Sequence, residues 1–294
     1  MEIRLLRYFL TVAEERNVSR AAKVLHITQP TLSRQLKEFE SSLGTELFVR
    51  QNKELVLTEA GLLLKSRAEE ILELTERTEQ EFQDQKKALF SGHVSIGCVE
   101  ADNSDTVAMM LEELVNEYPQ VTFTIFSGTS DMIVERLEKG LLDLAVLIEP
   151  VDTKQFEKLV LPHDERWGLL VSKESFLAVQ DEIEIADLAR IPLLSSSRTE
   201  VAAMIESWAK ESGVSFQIVG TFNLIFNVIP LVENHVGSAI GIEGALSAWN
   251  LDRLKFLPLV PEVKTKCVLV WKKHREHSPS VAVLLQYFKD AFEA

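Results

Sequence analysis

Between Thr28 and Lys37 the chain spaces groups able to grip a nucleic acid. Pro30, Ser33, Arg34 and Lys37 fall on one face of a helical pattern, with Thr31 and Gln35 at its margin. A guanidinium matches base edges and phosphates bidentately, an ammonium meets a phosphate as a point charge, and small hydroxyl and amide groups complete such a surface. Thr28 is placed to cap this helix, Gln29 follows, and Pro30 sits in the first turn, where a missing N–H costs nothing. The opposite face carries Leu32, Leu36, Phe39 and Leu43 and is expected to meet a core.

Catalytic and cofactor chemistry has little support. The segment Gly97-Cys98-Val99-Glu100-Ala101-Asp102 follows a strand pattern where a dinucleotide fold needs G-x-G-x-x-G, and no G-x-x-x-x-G-K-[ST] occurs. His274 and His277 flank a charged turn without Cys or carboxylate at ligand spacing, so no metal is expected. Ser195 to Ser197 lack the flanking glycines of a nucleophile elbow. The expectation is no enzyme activity and no cofactor.

Several elements must position the polar ridge. An amphipathic helix from Ile3 to Glu15 offers Leu6, Phe9, Leu10 and Ala13 to a small core. A second, Ser19 to Leu25, has Ser19 as its expected cap and as a further candidate for DNA contact, and Ala21 and Ala22 allow close approach. His26-Ile27-Thr28 is the turn. Downstream, Leu47 to Arg50 and Leu55 to Leu57 flank a polar turn at Gln51-Asn52-Lys53, a hairpin pattern with Arg50 and Lys53 near its tip. Taken alone, the paired helices are also consistent with an ordinary helical hairpin.

The order of these parts resembles the LysR-type transcriptional regulators. Their run of SRAA, a T-Q-P-T-L-S-R-Q-L helix, LG-x-x-LF-x-R and LT-x-AG appears here as Ser19 to Ala22, Thr28 to Leu36, Leu43 to Arg50 and Leu57 to Gly61, over about the first 65 residues. The resemblance implies an all-α winged helix-turn-helix DNA-binding domain (1–58), a long linker and dimerisation helix (59–90), and an α/β periplasmic-binding-protein-like (type 2) effector domain. The first lobe of that domain would comprise 91–161 plus 268–294, and the second 162–267. It also implies homodimers or homotetramers on a partly palindromic promoter, and RNA polymerase as a further partner. Ser19, Thr28, Gln29, Pro30, Thr31, Ser33, Arg34, Lys37, Arg50 and Lys53 are the DNA-contact candidates.

At 294 residues the chain should divide into two or three units, each with its own core. Its net charge of -14 argues at first against a polyanion partner. Residues 1–65, however, hold 10 basic and 8 acidic side chains, against 21 and 37 in the remainder. A near-neutral head beside an acidic body would suppress nonspecific adhesion, so DNA affinity should rest on a few contacts and fall with salt. Cys98 and Cys267 lie in apolar runs and read as buried free thiols, with a redox pair as the alternative. Neither an export signal nor an 18-residue apolar run is seen, so a cytoplasmic protein without membrane contact is expected.

From Thr58 to about Ala88 a charge-rich, proline-free stretch predicts one long helix. Leu64, Ala68, Ile71, Thr75, Thr78 and Phe82 step by fours and threes, the seam of a two-helix coiled coil. The seam reads as dimerisation, with packing on its own domain as the alternative. After Ser91-Gly92 strands and helices alternate as βαβαβ, with Gly140 placed to stop a helix, and a second set follows from Trp167. Its strands are expected at Gly168 to Ser172, Pro192 to Ser196, Phe216 to Thr221 and Ser238 to Ile242, with helices around Thr199 to Glu211 and Leu224 to Asn234 and a last helix from Pro279 to Phe292. In open α/β sheets ligands gather beyond the carboxyl ends of strands. That rule selects Glu100, Ala101, Asp102 and Asn103, then Ser127 and Thr129, and in the second lobe Ser196, Ser197, Arg198, Phe222 and Asn223, for an unidentified small-molecule effector. Asp102 reads as a helix cap; if the acids instead face the cleft, a cationic, amine-bearing or neutral effector is implied, with Arg198 of the opposite lobe at its other end. The rivals are an enzyme or solute-binding protein whose N-terminal helices only oligomerise it, and a DNA-binding regulator with a vestigial cleft.

Overall fold

In the computed structural model, residues 2–51, 54–84, 90–247 and 252–292 are described, apart from the side chains at 80, 81, 83 and 84. The chain divides into two compact units, Met1–Lys86 and Lys87–Ala294.

The first unit contains α1 (Ile3–Glu15), α2 (Val18–Val24), α3 (Gln29–Leu43), β1 (Phe48–Gln51), β2 (Glu54–Leu57) and α4 (Glu59–Asp84). Leu6, Phe9 and Val12 of α1, Ala21 and Ala22 of α2, and Leu32, Leu36 and Phe39 of α3 are buried in one cluster. The two alanines bring α2 close, as their size predicts. α2 is capped not by Ser19 but by Asn17, whose side chain accepts from the Ser19 and Arg20 N–H groups. Leu43 is 41% exposed and is not a core residue, because Gly44 ends α3 in the left-handed region, at φ 70°, just beyond it. β1 and β2 pair antiparallel as the wing, and Phe48 leans on Phe9 with ring centroids 5.3 Å apart. α4 starts against this hairpin: a Cβ at Gly61 would collide with the Leu47 carbonyl oxygen.

The second unit runs β3 (Gly92–Cys98), α5 (Asn103–Glu117), β4 (Val121–Ser127), α6 (Ser130–Glu138), β5 (Leu144–Ile148), β6 (Phe156–Ser172), β7 (Ile183–Glu184), β8 (Pro192–Ser196), α7 (Thr199–Glu211), β9 (Gln217–Phe222), α8 (Ile229–Glu233), β10 (Ser238–Ile242), β11 (Leu254–Val260), β12 (Lys264–Lys272) and α9 (Pro279–Phe292). The first lobe is the sheet β4-β3-β5-β12-β6, and the second is β6-β10-β8-β9 with β11 on the other side of β6. β6 belongs to both. It pairs with β12 as far as Arg166 and with β10 from Trp167 onward. The crossing therefore lies inside this 17-residue strand, and the expected lobe boundary after residue 161 falls within it. The sequence pattern had marked only its second half, Gly168 to Ser172.

Each lobe has its own core. Val281, Leu284, Leu285 and Phe288 of α9 join the first, together with the buried faces of β3, β5 and β12. Trp167, Leu193, Ile205 and Trp208 belong to the second, where the two tryptophan rings meet edge to face at 5.5 Å. Gly140 stops α6 at φ 78°, as its position suggests. Cys98 and Cys267 are free and buried, and burial raises both thiol pKa values. They are packing residues with no thiolate chemistry.

Candidate DNA interface and effector cleft

On α3 the buried face fixes the helix and leaves the polar ridge outside. Gln29, Pro30, Thr31, Arg34 and Lys37 are exposed, and Ser33 is half-buried. Thr28 occupies the cap position but its hydroxyl makes no cap bond; it lies 2.8 Å from the Thr31 hydroxyl instead. Gln29 Nε2 donates to Ser33 Oγ at 2.8 Å, which orients both along the ridge. Arg34 keeps 72% of its side chain in water, and among the described residues its one ion pair is a long one, 3.8 Å to Glu38. Such a pair is worth less than about 1 kcal/mol and would yield readily to a phosphate. Arg50 is exposed on β1 of the wing, and Ser19 is exposed on α2. Lys53 lies outside the described residues.

The seam expected on α4 requires correction. Ala68 is fully buried, and Leu64 and Ile71 pack beside it, in the same cluster as α1. Those three residues close the reading head of their own chain, Ala68 completely and Leu64 and Ile71 in part. The helical period was right and its partner wrong, because α1 offers a complementary apolar face within the same unit. Thr75 and Thr78 turn their hydroxyls back to the Ile71 and Leu74 carbonyls. Phe82 continues the seam but is 63% exposed. The apolar side chains left in water on another face of α4 are Leu62, Leu63 and Leu74. Leu63 and Leu74, eleven residues apart, share one azimuth.

Between the lobes of the second unit lies a cavity of about 100 Å³. Of the expected effector residues it gathers Glu100, Thr129, Ser196, Arg198, Phe222 and Asn223. Ala101, Asp102, Asn103, Ser127 and Ser197 are not in its wall. Ala101 is buried, Asn103 turns inward to donate to the His163 carbonyl at 2.8 Å, and the Ser197 N–H is held by the Phe222 carbonyl at 2.7 Å. Asp102 sits at the start of α5 without making a cap bond. Thr129 caps α6, accepting from the Met132 N–H at 3.5 Å. The rest of the wall is chiefly apolar, with Val99, Ile148, Trp167, Val201, Ile225, Ile240 and Ile242.

Two polar contacts join the lobes at this cavity. Arg198, only 7% exposed, donates to both oxygens of Asp131 at 3.0 and 3.1 Å and to the Pro150 carbonyl at 2.8 Å. Glu100 Oε2 accepts from the Ile225 N–H at 3.4 Å. Behind the cavity, the carboxylate that meets the start of α5 is Glu165 of β6, which accepts from the Asp102 N–H at 2.8 Å. Glu165 is fully buried; that burial, reinforced by the Asp102 charge, pushes its pKa up to about 7.

A family model described as "LysR substrate binding domain" matches residues 87–293, and another, "Bacterial regulatory helix-turn-helix protein, lysR family", matches residues 3–62. The chain belongs to the LysR family. LysR-family proteins are DNA-binding transcriptional regulators with an effector-binding domain, and not enzymes. Among relatives of this LysR chain, the "HTH-type transcriptional regulator BsdA" of Bacillus subtilis is 36% identical over 200 residues, spanning 66% of each protein. The "Hca operon transcriptional activator HcaR" of Escherichia coli is 27% identical over 93% of this chain and 92% of its own. The structure of full-length CbnR complexed with its target DNA aligns with a TM-score of 0.79 over 99% of this chain and all of the other. At 23% identity that likeness shows the fold.

What the residue pattern of this LysR protein hides is the contribution of the crossing strand and of β10. Trp167 and Ile240 to Ile242 line the cleft. The strand-end rule covers Ile148 and Ile242, which were passed over because apolar residues at strand ends resemble core. Glu165 and Trp167 carried no local signal at all, since the crossing itself went unread. Among the described residues no helix is long and apolar enough to cross a membrane.

Proposed function

We propose that this cytoplasmic regulator binds a partly palindromic promoter as a homodimer, with pairs of dimers forming a tetramer, and that a small effector in the cleft sets the placement of its two reading heads. In this reading α3 enters the major groove: Gln29, Thr31, Ser33 and Arg34 read or align bases, Pro30 packs against the groove wall, and Lys37, Ser19 and Thr28 hold phosphates. Arg50 and Lys53 meet the backbone or minor groove at the wing. The observation that carries the reading is the division of α3, whose apolar face is locked into the core while its donor-rich face stays in water. Leu62, Leu63 and Leu74 of α4 supply the dimer contact, in place of the seam used internally. RNA polymerase is the partner through which promoter occupancy would change transcription.

The effector in this reading is small and mainly apolar, because the cavity is about 100 Å³ and its wall is dominated by Ile, Val, Trp and Phe. A cavity that holds benzene measures roughly 150 Å³, so a ligand of that size or larger either projects from the cleft mouth or parts the lobes. A ligand that prefers one lobe arrangement then shifts the populations of both.

The test is a gel-shift and footprinting series on DNA upstream of the chain's own coding region, over a range of salt. Operator affinity should fall as salt rises, and Arg34→Ala or Arg50→Ala should remove the footprint while dimers persist. Footprints retained by both variants, or affinity that ignores salt, would refute the assigned roles.

A further inference from the structure

The buried carboxyl of Glu165 has one satisfied oxygen and one orphan. Oε1 accepts from the Asp102 N–H at 2.8 Å and has the Cys267 thiol at 3.8 Å, whereas Oε2 is buried without a hydrogen-bond partner. Three segments close over it. The start of α5 and β12 come from the first lobe, and the turn after β10 comes from the second, pressing Gly244 so near that a Cβ there would collide with Oε2. The Asp102 carboxyl carbon would lie 2.8 Å from that same added Cβ. The buried Glu165 carboxyl and the half-buried Asp102 carboxyl thus both border the Gly244 turn, where the chain crosses between lobes.

The charges around this site do not favour ionisation. From α5 Glu165 faces the Asp102 charge. Burial and that charge together outweigh the Asp102 N–H, the Cys267 thiol of β12 and the nearby Gly244 N–H of the β10 turn, all of which favour the ionised form. On its own strand Asp164 and Arg166 flank it, but Arg166 is taken by Glu243 of the β10 turn at 2.7 Å. Among the described residues no cation forms an ion pair with Glu165. An ionised carboxylate needs donors at both oxygens, and burial without them is costly. A carboxylic acid needs fewer, and its O–H on Oε2 would have the Asp102 carboxylate as a ready acceptor.

We propose that Glu165 is a proton-operated latch between the lobes: protonated, it holds the start of α5, the crossing strand and the Gly244 turn together, and on losing its proton it drives them apart to regain water. Three of the segments that meet at the latch also supply a cleft wall residue, namely Glu100 before α5, Trp167 on β6 and Ala245 after Gly244. Protonation, lobe closure and cleft shape are therefore one equilibrium, and acid favours the closed arrangement. The regulatory meaning of the latch rests on the cleft being the effector site; the proton linkage rests on the two-lobed unit alone.

Hydrogen exchange on the full-length protein, without ligand or DNA, tests this. The probes are the Asp102 amide, bonded to Glu165, and the Ile225 amide, which bridges the lobes to Glu100. With the Glu165 pKa about 7 when enclosed and 4.5 when free, the closed-to-open ratio falls about tenfold between pH 6 and pH 8. Protection at both amides, corrected for chemical exchange, should drop by that factor in the wild type, while amides of α9 serve as an internal control. Glu165→Gln, an uncharged isostere, should abolish the pH dependence, and Asp102→Asn, by lowering the Glu165 midpoint, should shift it to lower pH and shrink the drop between pH 6 and pH 8. No change at the two amides, an equal change in α9, or the same dependence in Glu165→Gln would overturn the proposal. A failed gel-shift would leave this result untouched, so the two readings fail separately.

Discussion

Cutting the Arg198–Asp131 clasp should loosen the effector unit by a definable amount. The guanidinium is 7% exposed and the carboxylate 48%, so the pair stands between two known regimes. Exposed pairs contribute at most about 1 kcal/mol, and removing one partner of a buried pair costs about 3–5 kcal/mol. Bidentate geometry, at 3.0 and 3.1 Å, argues for the upper part of the remaining interval. After discounting for the water on Asp131, a coupling of about 2 kcal/mol is expected. Asp131→Asn also removes a favourable charge from the first turn of α6, worth about 0.5 kcal/mol. A double-mutant cycle with Arg198→Met cancels that contribution and isolates the pair. All four tryptophans, at 167, 208, 249 and 271, belong to the second unit, so fluorescence-monitored urea unfolding of the full chain reports that unit alone. Coupling below about 0.5 kcal/mol would mean that the clasp contributes no more than a surface ion pair, and the reasoning from burial would be refuted.

The Glu165 carboxyl has a folded-state pKa raised to about 7 from 4.5, so its stabilising contribution is complete below pH 4.5 and is lost as pH rises through 7. Wild type should accordingly lose up to about 3 kcal/mol relative to Glu165→Gln over that window, and a difference in urea midpoint that does not vary with pH would contradict this. Leu63→Glu with Leu74→Glu should yield monomers by sedimentation with an unchanged melting temperature, whereas Ala68→Glu should unfold the reading head; dimers surviving the first pair would place the contact elsewhere. Gly241 lines the cleft, and a Cβ there meets nothing within 4 Å. Gly241→Phe should therefore fill the cavity without unfolding the protein and cancel every ligand-induced thermal shift seen in the wild type, so a persisting shift would point to a different site.

In both units the legible elements are those that obey a local rule. α1 was found from Ile3 to Glu15, and α7, β8, β10 and α9 at their observed limits, since strong periodicity and clear stops at Gly and Pro define such segments. The helix expected from Leu224 to Asn234 is instead a short 3₁₀ turn at Ile225–Asn227 followed by α8. Pro230 in the first turn of α8 fits the restart, having no N–H to extend a helix from before it. Ser19 and Asn17 were equally good caps by residue type, and only the backbone at Asn17 decides between them. β6 was mostly missed for another reason. In its first part a short apolar run, Leu159-Val160-Leu161, is boxed in by Glu157-Lys158 on one side and by Pro162 and the charged Asp164-Glu165-Arg166 on the other, so the part that carries the crossing reads as a turn. A strand shared by two sheets has two different environments and so no single pattern. The cleft suffered accordingly, since Trp167 and Glu165 depend on that crossing.

Both polar devices in the second unit act on one structural variable. Arg198–Asp131 closes the lobes at the cleft, and Glu165 with Asp102 meets the Gly244 turn at the crossing strand. Any ligand that changes lobe separation must then change the proton affinity of Glu165, and by linkage pH must change the affinity for that ligand by the same factor. A ligand that fits the closed cleft would take up protons on binding near neutral pH, and one that wedges the lobes apart would release them. The sign of proton exchange in a calorimetric titration, run in two buffers of different ionisation enthalpy, therefore tells which lobe arrangement an effector selects. No measured proton exchange near pH 7 would require that the effector bind both arrangements equally, and such a ligand could not shift the reading heads.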